Sequence, residues 1–166
     1  MRGATLLLVE PDWHLAFAGQ GLARDDLVSF ARSLGVADRV HFVGELAPQQ
    51  IGVFLRALDV FVFPSLAESF GLAPVEAAQA GIPVVANDLA VVREVLAVKG
   101  KPRALLVDVA DTCAFAAAIR TVLTDRDLKA ALATRGVDLL HRYSLDTMID
   151  RFAALIESVQ PTATRA

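Results

Sequence analysis

Residues 64–86 read PSLAESFGLAPVEAAQAGIPVVA, and this stretch decides the fold. Upstream of it, Asp59–Phe63 (DVFVF) is a short, nearly continuous apolar run of the kind that forms a buried strand, and Pro64-Ser65 ends it. A helix is expected from about Gly71 to Ala80, stopped by Gly81 and Pro83. Pro83–Ala86 (PVVA) is the next strand. Strand, loop, helix, strand within so few residues is a βαβ unit with parallel strands.

The pattern extends in both directions. Trp13–Ala18 (WHLAFA) is strand-like and stops at Gly19-Gln20-Gly21. Leu27, Phe30, Ala31 and Leu34 recur at helical spacing before Gly35. Arg39–Val43 is a further strand closed by Gly44, and Pro48 opens a helix whose Ile51, Phe54, Leu55 and Leu58 share a face. Asp88 is placed to cap a helix ending near Leu96, and Ala104–Val107 is a fifth strand. Val98–Arg103 (VKGKPR) reads as a flexible insertion. Three helices follow: one capped by Asp111, one over 127–141, and one capped by Ser144 with Met148, Phe152, Leu155, Ile156 and Val159 as an apolar stripe. Apolar strands alternating with helices predict an α/β fold with a doubly wound parallel sheet, covered on both faces.

Composition narrows the function classes. At 166 residues the chain suits one domain. The net charge of −3 gives no support for a basic nucleic-acid surface. An apolar share of 55% argues against disorder and hints at surface meant for a partner. The single Cys113 excludes an internal disulfide framework and is compatible with a reducing, cytoplasmic location. Thr5–Val9 is too short for a signal-peptide core, and no apolar run reaches the length of a membrane-spanning helix.

In open α/β sheets ligands sit beyond the carboxyl ends of the strands. A helix starting there offers free N–H groups and the positive end of its dipole, a natural phosphate site. The amides of Phe70, Gly71 and Leu72 are assigned that role, with Ser69 beside them. Glu68 precedes the helix and Glu76 lies in its second turn. Both can face a ligand there, and a carboxylate is a good acceptor for paired sugar hydroxyls. Taken alone, two glutamates eight residues apart are common and read as surface solvation. His14, His41 and His141 read as structural, and no clustered ligand set for a metal stands out.

The stretch resembles the signature of glycosyltransferase family 4, retaining enzymes of the GT-B fold, at Pro64, Ser65, Glu68, Phe70, Gly71, Glu76, Ala77, Gly81, Pro83, Val84 and Val85. Trp13–Gly21, Arg39–Gly44, Asp88–Leu96 and the segment from Ser144 resemble further segments of that family, in order. The resemblance implies a Rossmann-like domain, the C-terminal half of a GT-B enzyme, over residues 1–160, with 161–166 a frayed tail. It implies transfer of a sugar from a nucleotide diphosphate sugar, UDP- or GDP-linked, without a catalytic metal or other cofactor. Glu68 is then catalytic and faces the donor sugar. Glu76 binds the ribose hydroxyls, and Ser69 to Leu72 hold the diphosphate. Gly19 and Gly21 line the cleft, while Gly44, Glu45 and Leu46 lie near the base.

The same comparison marks what is lacking. The resemblance implies that the N-terminal, acceptor-binding domain and the first strand of this half are not in these residues, nor the loop that carries an Arg and a Lys against the diphosphate. Arg2 is a poor replacement. In the strand order 3-2-1-4-5-6, losing strand one removes the common neighbour of WHLAFA and DVFVF. Ala4–Val9 as a helix remnant with the sheet halves closing up, the same segment as an antiparallel strand, and a partner chain are three candidate occupants; the helix remnant is favoured. The isolated chain is expected to be inactive in transfer without an acceptor half. A non-catalytic nucleotide-sugar or partner-binding module, and a fragment of a related sugar-nucleotide epimerase, remain alternatives.

Overall fold

The computed structural model describes residues 10–159. Ala4–Val9, Arg2 and the expected tail at 161–166 lie outside the described residues.

The chain opens with β1 (Leu15–Ala18), α1 (Arg24–Ser33) and β2 (Val40–Gly44). Next come α2 (Pro48–Arg56), β3 (Phe61–Phe63), α3 (Leu72–Gln79), β4 (Val84–Asn87) and α4 (Ala90–Val95). A short hairpin, β5 (Ala97–Val98) and β6 (Lys101–Pro102), leads to β7 (Leu105–Val107). Four helices finish the chain: α5 (Thr112–Thr124), α6 (Arg126–Gly136), α7 (Asp138–Arg142) and α8 (Leu145–Val159).

β3, β4 and β7 form a parallel sheet in the order β3-β4-β7, and β1 pairs with β2, also parallel. Helices cover both faces of the three-stranded sheet, as expected for a doubly wound fold. Phe61, Phe63, Val84, Ala86 and Leu106 face a core with Leu55 of α2, Val75 and Ala78 of α3, Val92 and Val95 of α4, and Leu139 of α7. The alternate residues Val62, Val85, Leu105 and Val107 face Phe115, Ala118, Ile119 and Val122 of α5 and Leu132 of α6. This period-two division is what a strand buried on both sides requires.

Among the described residues, β1 and β3 are not hydrogen-bonded to one another, so the favoured expectation that the two sheet halves close up is not met there. Side chains join them instead. Trp13 packs against both the α5–α6 core and the small core of Ala31, Val36 and Val40 under β1 and β2. Glu10 pairs with Arg120 at 2.8 Å, and its carbonyl accepts from Arg39 at 2.8 Å.

Several expectations need correction. Asp88 does not cap a helix: α4 starts after Leu89 with no side-chain cap, and the Asp88 carboxylate is held by Arg93 instead. The helix expected over 127–141 is two, α6 and α7, which meet at Val137, itself at φ −60° and ψ −25°. Val98–Arg103 is not a loose insertion. Lys99 and Gly100 have φ of +51° and +71°, the pair of left-handed residues that a two-residue hairpin turn needs. The caps at Asp111 and Ser144 form, accepting from the amides of Ala114 at 2.9 Å and Thr147 at 3.2 Å.

Candidate functional site

The loop from Pro64 to Gly71 leaves the carboxyl end of β3 and turns directly into α3. Gly71 stands at the N-cap of α3 with φ of +87°, a left-handed conformation that a side chain would strain. A Cβ there would find only ordinary contacts, 3.5 Å from Glu68 and from Pro74, so the backbone angle, more than close approach, requires glycine. No side chain caps α3. Its first-turn amides therefore face outward without an intrahelical acceptor, and Pro74, which has no N–H, is buried in that turn where the loss is harmless.

A pocket of about 290 Å³ lies over this helix end, lined by Glu68, Ser69, Phe70, Gly71 and Leu72, with Phe63 and Ala73 completing the wall. Glu68 is half-buried, and its Oε1 accepts from the Ser69 amide at 3.2 Å, which aims the carboxylate along the loop. Among the described residues that line the pocket, Glu68 is the one ionisable group, so positive potential there comes from the helix end alone.

Glu76 does not line this pocket. It is exposed in the second turn of α3, four residues beyond Leu72, and so shares that residue's outward face. Gly19 follows β1, and its amide donates to the carbonyl of Gly44, the last residue of β2, at 2.6 Å. Gly21, Glu45 and Leu46 lie in the loops just after these strands. These five residues thus sit together at the carboxyl end of the two-stranded sheet and outside the Gly71 pocket. His14 and His41 stack with ring centroids 5.1 Å apart and Nδ1 to Nε2 at 2.8 Å. Each occupies the other's polar edge, which suits a structural pair.

Two residues outside the motif shape the loop. Asn87 is buried at the end of β4. Its amide donates to the Ser65 carbonyl at 2.8 Å, and its Oδ1 accepts from the Val109 amide at 3.2 Å. It ties the β3–α3 loop to the segment after β7. Tyr143 meets the Phe70 ring edge-on at 5.7 Å, and its hydroxyl donates to the Val95 carbonyl at 2.9 Å. Burial pushes the Tyr143 hydroxyl above the usual tyrosine range, with Arg142 beside it working the other way, so the donor stays protonated. A polar residue closing an apolar strand was the available signal for Asn87. Tyr143 had none, because its contact joins residues far apart in sequence.

Known proteins share these features. Residues 4–138 match the family described as glycosyl transferases group 1. The lipopolysaccharide core biosynthesis mannosyltransferase LpsB of Rhizobium meliloti (strain 1021) is 33% identical over 165 residues, covering 96% of this chain and 46% of that protein. The chain thus spans about half the length of that relative. Anabaena Alr3699/HepE, solved with UDP and glucose, superposes with a TM-score of 0.81 at 25% identity, over 95% of this chain and 44% of that one. The C-terminal domain of the group 1 glycosyl transferase LpcC from Francisella tularensis gives 0.70 at 25% identity, over 86% of this chain and 76% of that one. With its parallel sheet, its uncapped α3 and a match over most of its length, this chain belongs to the glycosyl transferases group 1 family.

Proposed function

We propose that the chain, over residues 1–160, is the donor-binding domain of a family 4 retaining glycosyltransferase whose acceptor half lies on another domain or chain. The observation that carries this reading is the meeting of an uncapped helix end and a half-buried carboxylate in one pocket. The amides of Phe70, Gly71 and Leu72, with Ser69 beside them, take the diphosphate. Glu68 faces the sugar and stabilises positive charge that builds at the anomeric carbon as its bond to the leaving phosphate oxygen breaks. That electron pair departs with the nucleoside diphosphate, and the acceptor hydroxyl oxygen forms the new bond as its proton passes to the departing phosphate oxygen. Glu76 takes the ribose hydroxyls, and Gly19, Gly21, Gly44, Glu45 and Leu46 border the base and cleft.

A uridine donor is favoured because Alr3699/HepE was solved with UDP. The diphosphate has no cation opposite it among the described lining residues, and one oxyanion-type donor is worth about 10²–10³ in rate. The chain alone is therefore expected to bind donor without transferring sugar. The reading carries with it a cytoplasmic location, which the lone Cys113 tolerates.

Calorimetric titration with UDP- and GDP-sugars tests the reading. Binding by the wild type with at least a tenfold loss in Glu76→Ala is expected. Binding that Glu76→Ala and Glu68→Gln leave unchanged would overturn the residue roles, and sugar transfer by the pure chain would overturn its dependence on an acceptor half.

A further inference from the structure

A second pocket, of about 510 Å³, shares no residue with the first. It lies where the β5–β6 hairpin meets α7 and the start of α8. Its wall carries the cations Lys99, Arg103, Arg142 and Arg151 against the single carboxylate of Asp138, in a chain whose net charge is −3. Like charges gathered at one place repel, and a fold tolerates the gathering most easily where an anion joins it.

The existing partners do not satisfy the cluster. Arg103 Nη2 pairs with Asp138 at 2.9 Å, and this uses the one carboxylate. Arg142 donates to the Ala97 carbonyl and lies over the Tyr143 ring, 5.3 Å from its centroid, which neutralises none of its charge. The Nε atoms of both arginines are buried without an acceptor. Lys99 and Arg151 have no ion-pair partner among the described residues.

The placement follows from the backbone. The left-handed turn at Lys99-Gly100 puts Lys99 at the hairpin tip beside the pocket. Arg151 of α8 presents its guanidinium to the same space, one turn beyond Thr147, whose hydroxyl already donates to the His141 carbonyl at 2.8 Å. Guanidinium forks and an ammonium are the donor set that recognises tetrahedral oxyanions.

We propose that this pocket is a binding site for a phosphoryl group. Its four cations suit a phosphate mono- or diester better than a carboxylate, which fewer donors satisfy. The source is either a soluble phosphate ester or a lipid headgroup. The second arises because the apolar stripe of α8 runs beside Arg151, with Met148, Phe152 and Leu155 all about half exposed or more.

Titration of the ¹⁵N-labelled 166-residue chain with inorganic phosphate, at constant ionic strength balanced with chloride, tests the site residue by residue. Saturable shifts are expected for amides in 98–103 and 138–151, with affinity falling at least tenfold in the double variant Lys99→Gln, Arg151→Gln. Both side chains are exposed, so the fold should survive, and an unchanged remainder of the spectrum verifies that. Shifts confined to residues 68–75 would report the other pocket and, like shifts here that the double variant retains, would overturn the proposal.

Co-sedimentation with phosphatidylglycerol and phosphatidylcholine vesicles separates the sources. Retention on the anionic vesicles that the double variant loses assigns a headgroup. Phosphate saturation without such retention assigns a soluble ester.

Discussion

The two parallel sheets among the described residues are made of similar apolar strands yet occupy different physical states. In β4 the residues Val84, Val85 and Ala86 are wholly buried and Asn87 nearly so, because helices lie on both faces. In β1 no residue is buried, and three of its four are half-exposed. A strand becomes a rigid platform when both of its faces are covered. The β3–α3 loop is anchored to the rigid sheet through Asn87, whereas Gly19, Gly21 and Gly44 belong to the looser one. The pocket at Gly71 is therefore set on the stiffer half.

The same substitution in each half is the strongest way to break this contrast. Leu139→Ala empties a wholly buried position under the three-stranded sheet and should cost about 3 kcal/mol in urea unfolding, while Leu15→Ala in β1 should cost about 1 kcal/mol. Equal losses would mean that the halves are equally consolidated. Amide exchange sharpens the point: Val85 and Ala86 should exchange only by global unfolding, and Phe17 and Ala18 by local opening.

Gly136→Ala is expected to cost about 2 kcal/mol, because a Cβ there would overlap the Ala78 carbonyl where α6 crosses α3. A wild-type melting temperature in this variant would show that the helices separate freely. Asn87→Ala leaves the Ser65 carbonyl and the Val109 amide without this partner and should cost about 1–2 kcal/mol. It should also weaken UDP-sugar binding severalfold, and intact affinity would show that the loop holds its shape without the anchor.

The smallest effect belongs to Tyr143→Phe, under about 1 kcal/mol at neutral pH for one hydrogen bond. Burial raises the Tyr143 hydroxyl above its ordinary value of 10.0. Its contribution is thus fully present below that value and is lost as pH climbs through the folded-state value. The wild type should lose stability over that alkaline range, and the gap to the phenylalanine variant should close. A gap independent of pH would mean that the hydroxyl is not buried.

The local features were legible because they rest on neighbouring residues. Gly71 before an apolar helix, with Pro64 ending a strand, places an uncapped helix end at a strand's carboxyl edge whatever surrounds it. The caps at Asp111 and Ser144 and the short apolar runs DVFVF and PVVA are equally local. Misreadings occurred where another group competes for a side chain or a face. Asp88 is a good cap by type, but Arg93 takes its carboxylate. The Met148–Val159 stripe is present at helical period, but periodicity says which face seeks cover and not what covers it; none of α8 is buried among the described residues.

By itself, the sequence determined the parallel α/β architecture, the family and the helix end that forms the Gly71 pocket, since these follow from period, glycine conformation and motif order. Only the tertiary structure decided that, among the described residues, β1 and β3 do not pair, that Asn87 and Tyr143 brace the motif loop, and that Lys99, Arg103, Arg142 and Arg151 converge. Those facts depend on contacts between residues tens of positions apart, whose free energies are fixed by packing and charge in three dimensions and leave no local pattern to read.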